Sequence, residues 1–137
     1  SQKVLDNNPA HRLIMTIKKL NKLELSEKRK TCIYIPKTNR VFWDMQTFRF
    51  DGTPFIVPAL SGIAMIEGLP DYLSSGNRLL RGYKTYQRDY NSKYADNFSS
   101  LSLADLRAIA RDKGFSQIIK ITFLNNEPVL DKIEIKE

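Results

Sequence analysis

A single stretch of 22 residues constrains this chain more than any other, because its aromatic residues recur at helical spacing. It covers residues 77–98 and reads NRLLRGYKTYQRDYNSKYADNF. Apolar and aromatic side chains follow one another there at steps of three or four residues: Leu79, Tyr83, Tyr86, Tyr90, Tyr94 and Phe98. At about 100° per residue, these steps place them on one side of a helix. Arg81, Lys84 and Arg88 fall on the opposite side, so the pattern predicts a helix with an aromatic core face and a basic outer face.

The length and composition predict one globular domain. The chain has 137 residues, of which 42% are hydrophobic and 27% are charged. A chain of this size can bury a core without metal or disulfide support. No apolar run approaches the roughly 18 residues of a membrane span, so we expect no membrane partner. We expect a single domain over residues 1–137, either complete or a piece of a longer protein, since the chain opens on Ser1 rather than Met.

The cysteine content indicates a reducing compartment. Cys32 is the only cysteine and lies in the apolar run Thr-Cys-Ile-Tyr-Ile. One cysteine cannot form an internal disulfide, so the sequence favours a cytoplasmic location. We interpret Cys32 as a small buried side chain rather than a nucleophile.

The first part of the chain predicts a helix and then short strands. Asn8 and Pro9 are typical of a helix N-cap and first helical residue, and the apolar period that follows predicts a helix ending around Leu23 or Leu25. Residues 26–30 are interpreted as a charged connector, and residues 31–35 as a strand.

Residues 41–69 predict a hairpin followed by a helix. Strands at 41–50 and 53–57 are expected on either side of the turn at Asp51 and Gly52, with Pro58 ending the second. Residues 59–69 are either a short buried helix capped by Ser61 or a continued strand, and we favour the helix.

The last part of the chain predicts a helix and a hairpin. Ser102 and Asp105 approximate a capping box, and Gly114 ends the apolar period that begins at Leu103. Residues 119–123 and 129–135 alternate on either side of a turn, which predicts a β-hairpin. Because helices and strands are segregated along the chain, we expect an α+β protein: a mostly antiparallel sheet of about five short strands, with three to four helices in a single layer on it.

The positive charge is concentrated in the first hundred residues. The formal net charge is +7, and residues 1–100 hold 16 Lys and Arg against 9 Asp and Glu, while residues 101–137 hold 6 against 6. Such an excess on part of a chain favours a polyanionic partner.

Few residues could support metal or nucleophilic chemistry. One His and one Cys are too few for a structural zinc site, and no phosphate-binding glycine loop occurs. Asp131 with Glu134 and Lys136 comes nearest to a magnesium-dependent nuclease pattern, but we interpret it as the outer face of a strand. His11 has no acidic partner nearby in the sequence. We therefore expect no metal, no small-molecule cofactor and no catalytic residues.

Residues 99–116 resemble the first helix of the small nucleic-acid-binding modules of the SAP and Rho N-terminal type. The residues that carry the resemblance are Leu103, Leu106, Arg107, Lys113 and Gly114. Those modules continue with a second leucine-rich helix, whereas residues 117–123 predict a strand here. No family is therefore assigned.

The leading hypothesis is a non-catalytic nucleic-acid-binding domain that contacts the phosphates of RNA or DNA through a basic face. The residues expected on that face are Lys18, Lys19, Lys22, Lys28, Arg29, Lys30, Arg78, Arg81, Lys84 and Arg88. One alternative is a small metal-independent, toxin-like ribonuclease in which Arg, Lys and Tyr replace His. Another is a protein-interaction or inhibitor domain with an acidic partner.

Overall fold

The computed structural model describes residues 8–36, 39, 42, 56–67 and 101–136. Within them the protein is α+β, with helices α1 (Pro9–Leu20), α2 (Leu25–Lys30), α3 (Ile56–Ser61) and α4 (Leu103–Asp112). The strands are β1 (Thr31–Tyr34), β2 (Ala64–Met65), β3 (Gln117–Leu124) and β4 (Glu127–Glu134). The predicted aromatic helix at residues 77–98 lies outside the described residues. So do the predicted turn at Asp51 and Gly52 and the predicted strand at 41–50, except for Phe42, which is buried and helical rather than extended.

The sheet is mixed, which corrects the prediction of a mostly antiparallel sheet of about five strands. The described strands number four, in the order β2-β1-β3-β4. Strand β1 is parallel to both of its neighbours, and only β3 and β4 pair antiparallel. All four residues of β1 are buried. A continuous apolar run that is buried on both faces is typical of a central parallel strand. The run Thr-Cys-Ile-Tyr has this pattern and therefore indicated a parallel strand.

Helices cover both faces of the sheet, which corrects the prediction of a single helical layer. Ile33 and Ile35 pack on one face with Leu13, Ile17 and Val57 of α1 and α3. Cys32 and Tyr34 point to the other face and pack against Leu106, Ile109 and Ala110 of α4. Because successive strand residues point to opposite faces, β1 contributes to both cores.

Helices α1 and α4 begin where their capping residues predict. The Asn8 side chain accepts a hydrogen bond of 2.9 Å from the Ala10 amide at the start of α1. The Ser102 side chain accepts one of 3.1 Å from the Asp105 amide at the start of α4. Helix α1 ends at Leu20, before the predicted end at Leu23 or Leu25, because the amides of residues 21–23 turn back to carbonyls three residues earlier.

Residues 26–30 are helical rather than a connector, and this is a correction. Helix α2 buries no side chain, so it lacks the apolar period by which a helix is recognised in a sequence. It is held at its end instead: the Thr31 hydroxyl donates a hydrogen bond of 2.6 Å to the Glu27 carbonyl oxygen.

Residues 56–65 also differ from the prediction. Val57 belongs to α3 rather than to a returning strand, and Pro58 is tolerated because it lies in the first turn, where a backbone N–H has no helical partner. Ser61 ends α3 and does not cap a later helix. Gly62, with φ of 72°, stops the helix, and Ala64–Met65 then pairs with β1 as β2.

The final hairpin is confirmed, and its strands are longer than predicted. Strands β3 and β4 pair along their whole length, from Gln117 opposite Glu134 to Leu124 opposite Glu127. Asn125 and Asn126 both have positive φ, which suits a tight two-residue turn. Because residues 117–124 form a strand, the chain departs from the helical modules that residues 99–116 resemble.

Candidate nucleic-acid interface

The four helices described above all end at the same end of the sheet. Helix α2 leads directly into β1, α3 leads through two residues into β2, and α4 leads through four residues into β3. The end of α1 is brought to α2 by a hydrogen bond of 2.6 Å from Lys28 Nζ to Asn21 Oδ1. We call this end, where β1, β2 and β3 begin, the amino end of the sheet.

The structure gathers the predicted basic residues of the first thirty positions at the amino end. We call them the α1–α2 cluster: Lys18, Lys19, Lys22, Lys28, Arg29 and Lys30. All are exposed except Lys28, which is partly buried. The other predicted contacts, Arg78, Arg81, Lys84 and Arg88, lie outside the described residues and stay predictions.

Lys28 is held more firmly than the other members of the α1–α2 cluster. Its ammonium group donates to Asn21, and it lies over Gly62, where an added Cβ would come within 3.2 Å of Lys28 Nζ. Three elements therefore meet at this ammonium group: the end of α1, the middle of α2 and the end of α3. Lys28 joins these elements as well as adding charge to the surface.

Glu27 is the carboxylate most closely associated with the cluster. Gln117 Nε2 donates a hydrogen bond of 3.1 Å to Glu27 Oε1, and Lys30 Nζ lies 3.4 Å from Glu27 Oε2. The Gln117 hydrogen bond is the main reason that the pKa of Glu27 is lowered from its usual 4.5, and the charges of Lys30 and Lys132 act in the same direction. Glu27 therefore stays ionised and offsets part of the positive charge.

Basic residues of the C-terminal part also lie at the amino end, although the sequence did not predict them as part of the basic face. We call them the C-terminal cluster: Arg111, Lys113, Lys132 and Lys136. Arg111 Nη2 donates a hydrogen bond of 2.8 Å to the Lys136 carbonyl oxygen, which joins the end of α4 to the segment after β4. Residues 101–137 are neutral in total, so their composition gave no signal; only the strand pairing brings these cations together.

The described charges are divided unequally between the two ends of the sheet. The amino end carries the ten cations of the two clusters against four carboxylates: Glu24, Glu27, Asp112 and Glu134. Lys120 and Asp131 face each other in the middle of the hairpin, and the opposite end carries two cations against three carboxylates: Arg12 and Arg107 against Glu67, Asp105 and Glu127. The positive field of the described residues therefore comes from the amino end.

Helix geometry supplies a structural reason for cations at the amino end. The last carbonyl groups of a helix carry a partial negative charge, which favours nearby Lys and Arg by about 0.3–1 kcal/mol each. Lys18, Lys19 and Arg111 lie in the last turns of α1 and α4. These residues therefore contribute to helix stability whether or not they also bind a ligand.

The opposite end holds the polar residues that follow the parallel strands. Glu67 is the second residue after β2, is only 4% exposed and has φ of 51°. Asn39 donates a hydrogen bond of 3.4 Å to the Ile121 carbonyl oxygen and accepts one from the Phe42 amide. The sequence did not single out either residue. The described charges at this end have no positive excess, so within the described part of the chain it is a poorer match for a polyanion.

The described residues lack a group of three metal-ligating side chains. Asp131 and Glu134 are both exposed, and they point to opposite faces of β4, so they do not converge. His11 is partly buried in α1. Cys32 is fully buried, and burial raises the pKa of its thiol to about 12, which suits a core side chain and not a nucleophile.

A small α+β protein with a mixed sheet and one strongly basic end is thus the class that the fold and the surface define. No family model, curated protein or solved structure matches the chain. Among the described residues, none of the helices is long and apolar enough to cross a membrane.

Proposed function

We propose that this protein binds nucleic acid by contacting backbone phosphates with the α1–α2 cluster. The observation that supports the proposal is the meeting of two helix ends at one surface, where the Asn21–Lys28 hydrogen bond brings the six cations together. Phosphate contacts by Lys and Arg release counterions, so they give affinity without sequence preference.

The charge balance at this surface favours a polyanion over an isolated acidic group. Glu27 already pairs with Lys30, and Lys28 is engaged with Asn21, so neither cation is the strongest candidate for a ligand contact. Lys18, Lys19, Lys22 and Arg29 are exposed and lie on the same two elements, α1 and α2, or just after α1. Several separate cations of this kind match a chain of phosphates better than a single carboxylate.

The experiment is fluorescence anisotropy of labelled single-stranded RNA and of duplex DNA, each at two salt concentrations. The wild-type protein should bind with an affinity that falls as salt rises. The Lys19→Gln/Lys22→Gln variant should bind more weakly, and its plot of log affinity against log salt should be flatter by about 1.4 on single strands, since each lost contact contributes about 0.7. The control is Arg107→Gln/Lys120→Gln, which removes two charges from outside the amino end and should bind as the wild type does.

Two outcomes would contradict the proposal. One is the absence of binding to either probe at low salt. The other is an equal loss in both variants, which would mean that net charge and not this surface determines binding. The RNA is recovered after the measurement and its length is checked, because shortened RNA would favour the ribonuclease alternative over a non-catalytic domain.

A further inference from the structure

We infer that the C-terminal cluster continues the phosphate-binding surface, so that one nucleic-acid strand crosses the amino end from α1 to α4. This inference rests on the proposed function and extends it from a local cluster to a path across the whole sheet. The partner that it specifies is a polynucleotide backbone of several nucleotides, bound without preference for sequence.

The two clusters are joined by a continuous series of hydrogen bonds along the amino end. The Lys30 carbonyl oxygen, at the end of α2, accepts a hydrogen bond of 2.9 Å from the Ser116 amide. The Ser116 carbonyl oxygen accepts one of 3.0 Å from the Ile135 amide. The next residue, Lys136, is the one whose carbonyl oxygen is bound by Arg111. These hydrogen bonds hold the end of α2, the start of β3, the segment after β4 and the end of α4 together, so the relative placement of the two clusters is fixed.

The cations follow this series in space. Lys30 stands at its beginning and Lys136 and Arg111 at its end, while Lys132 lies near enough to Glu27 to affect the pKa of that carboxylate. Arg111, Lys132 and Lys136 are exposed. A strand bound at the α1–α2 cluster would meet these cations next if it continued across the sheet.

The surface extends from one side of the sheet to the other. The end of α1, which carries Lys18 and Lys19, lies on one side of the sheet, and the end of α4, which carries Arg111, lies on the other. With helix and sheet layers packed about 10 Å apart, the two sides are separated by roughly 20 Å. A ligand of about three nucleotides is shorter than the site sizes of about 4–16 nucleotides of single-strand-binding folds, whereas one of about 12 nucleotides lies within them.

The surface offers contacts to a backbone rather than to base edges. The α1–α2 cluster lies at and just beyond the end of α1 and along the short helix α2, and Arg111 lies in the last turn of α4. A surface of this kind contacts phosphates, so it should bind without preference for the base sequence.

The experiment compares binding of short and long single-stranded RNA by three proteins. The probes are fluorescent oligouridylates of about 3 and about 12 nucleotides, chosen to lie below and within the expected site size. The proteins are the wild type, Arg111→Gln/Lys136→Gln and the charge-matched control Arg107→Gln/Lys120→Gln. The expected result is that Arg111→Gln/Lys136→Gln lowers the salt slope for the long probe by about 1.4 and lowers that for the short probe by less, because a short probe can occupy the α1–α2 cluster alone.

Arg111→Gln removes the hydrogen bond to Lys136 as well as a charge, so a single Lys136→Gln variant is included. It leaves that hydrogen bond intact, because Arg111 binds the Lys136 backbone, and it should lower the slope for the long probe by about 0.7. Equal losses for short and long probes, or no loss for either, would overturn the inference. If the wild type binds neither probe, the proposed function itself fails; if Lys19→Gln/Lys22→Gln weakens binding and the C-terminal variants do not, only the extension fails.

Discussion

Lys28 Nζ donates a hydrogen bond of 2.6 Å to Asn21 Oδ1, and this contact fixes α2 against the end of α1. Both atoms lie against Gly62, which has φ of 72°. An added Cβ there would stand 3.2 Å from Lys28 Nζ and 3.3 Å from Asn21 Oδ1. The geometry of the α1–α2 cluster therefore depends on a glycine that is distant from it in sequence.

The first prediction follows from this contact. Gly62→Ala should reduce the free energy of unfolding by more than about 1–2 kcal/mol, the cost of a left-handed non-glycine residue, because the Lys28–Asn21 contact must also shift. Gly114→Ala is the matched control: its φ is 88°, but an added Cβ meets nothing within 4 Å, so only the backbone cost applies. Denaturant unfolding measures both variants. Equal losses would mean that Lys28 moves aside freely.

The second prediction concerns the helix ends. Lys18→Gln and Lys19→Gln should each lower the free energy of unfolding by about 0.3–1 kcal/mol at low salt, because each removes a cation from the last turn of α1. The loss should shrink as salt screens the interaction. Urea unfolding at low and high salt tests this, with Lys120→Gln in strand β3 as the control. A loss that is the same at both salt concentrations would contradict it.

The third prediction concerns the reactivity of Cys32. The thiol is fully buried, its Sγ lies 3.7 Å from the Gln117 carbonyl oxygen, and its pKa is raised to about 12 by burial. A thiol reagent should therefore label the native protein only as fast as the protein unfolds, and should label it fully in denaturant. The chain has a single cysteine, so no other thiol contributes. Rapid labelling under native conditions would show that the strand opens locally.

The same pKa determines how stability changes with pH. Below the usual pKa of 9.0 the thiol is protonated in both states, and between 9.0 and about 12 only the unfolded state loses the proton. The contribution of the buried Cys32 thiol to the free energy of unfolding is therefore complete below pH 9.0. It falls as pH rises above 9.0, by at most about 1.4 kcal/mol per pH unit. The difference in stability between wild type and Cys32→Ala should shrink over this range. A constant difference would contradict the raised pKa.

The fourth prediction concerns how the free energy of unfolding changes at acid pH. The Gln117 hydrogen bond lowers the pKa of Glu27 in the folded state. The ionised Glu27 carboxylate therefore stabilises the fold above pH 4.5, and this contribution is lost as pH falls through the lowered pKa. In Gln117→Leu, the pKa of Glu27 should rise toward 4.5, as an NMR titration of its carboxyl carbon would show. Gln117 also donates to Thr31 Oγ1, so Glu27→Gln provides a second test. Its stability should depend less on pH than that of the wild type below pH 4.5.

Local signals in the sequence were sufficient for the elements whose ends are capped or whose strands alternate. Asn8 and Ser102 begin α1 and α4 where the sequence predicts, because a capping side chain acts within three residues. The final hairpin was predictable for a similar reason, since its strands alternate and its turn is two residues long. The burial of Cys32 was also predicted correctly from its apolar run.

Three elements were mispredicted because distant contacts determine them. Helix α2 has no apolar face, and it is held by Gln117 and Thr31 rather than by its own pattern. Strand β2 has only two residues, and its pairing with β1 defines it. The parallel direction of β1 and β3 depends on the path of the intervening chain, which a short apolar run does not specify.

The sequence by itself determined the capped helices, the final hairpin, the buried cysteine and the excess of positive charge in the first hundred residues. These properties depend on neighbours a few residues apart or on composition alone. Tertiary structure decided the mixed sheet, the two helical layers and the gathering of cations at the amino end. The physical reason is that α2 and α4 each lead into a parallel strand and end where that strand begins, while the Lys28–Asn21 hydrogen bond brings the end of α1 to the same place. Lys22, Lys30 and Arg111 thereby reach one surface from positions up to ninety residues apart.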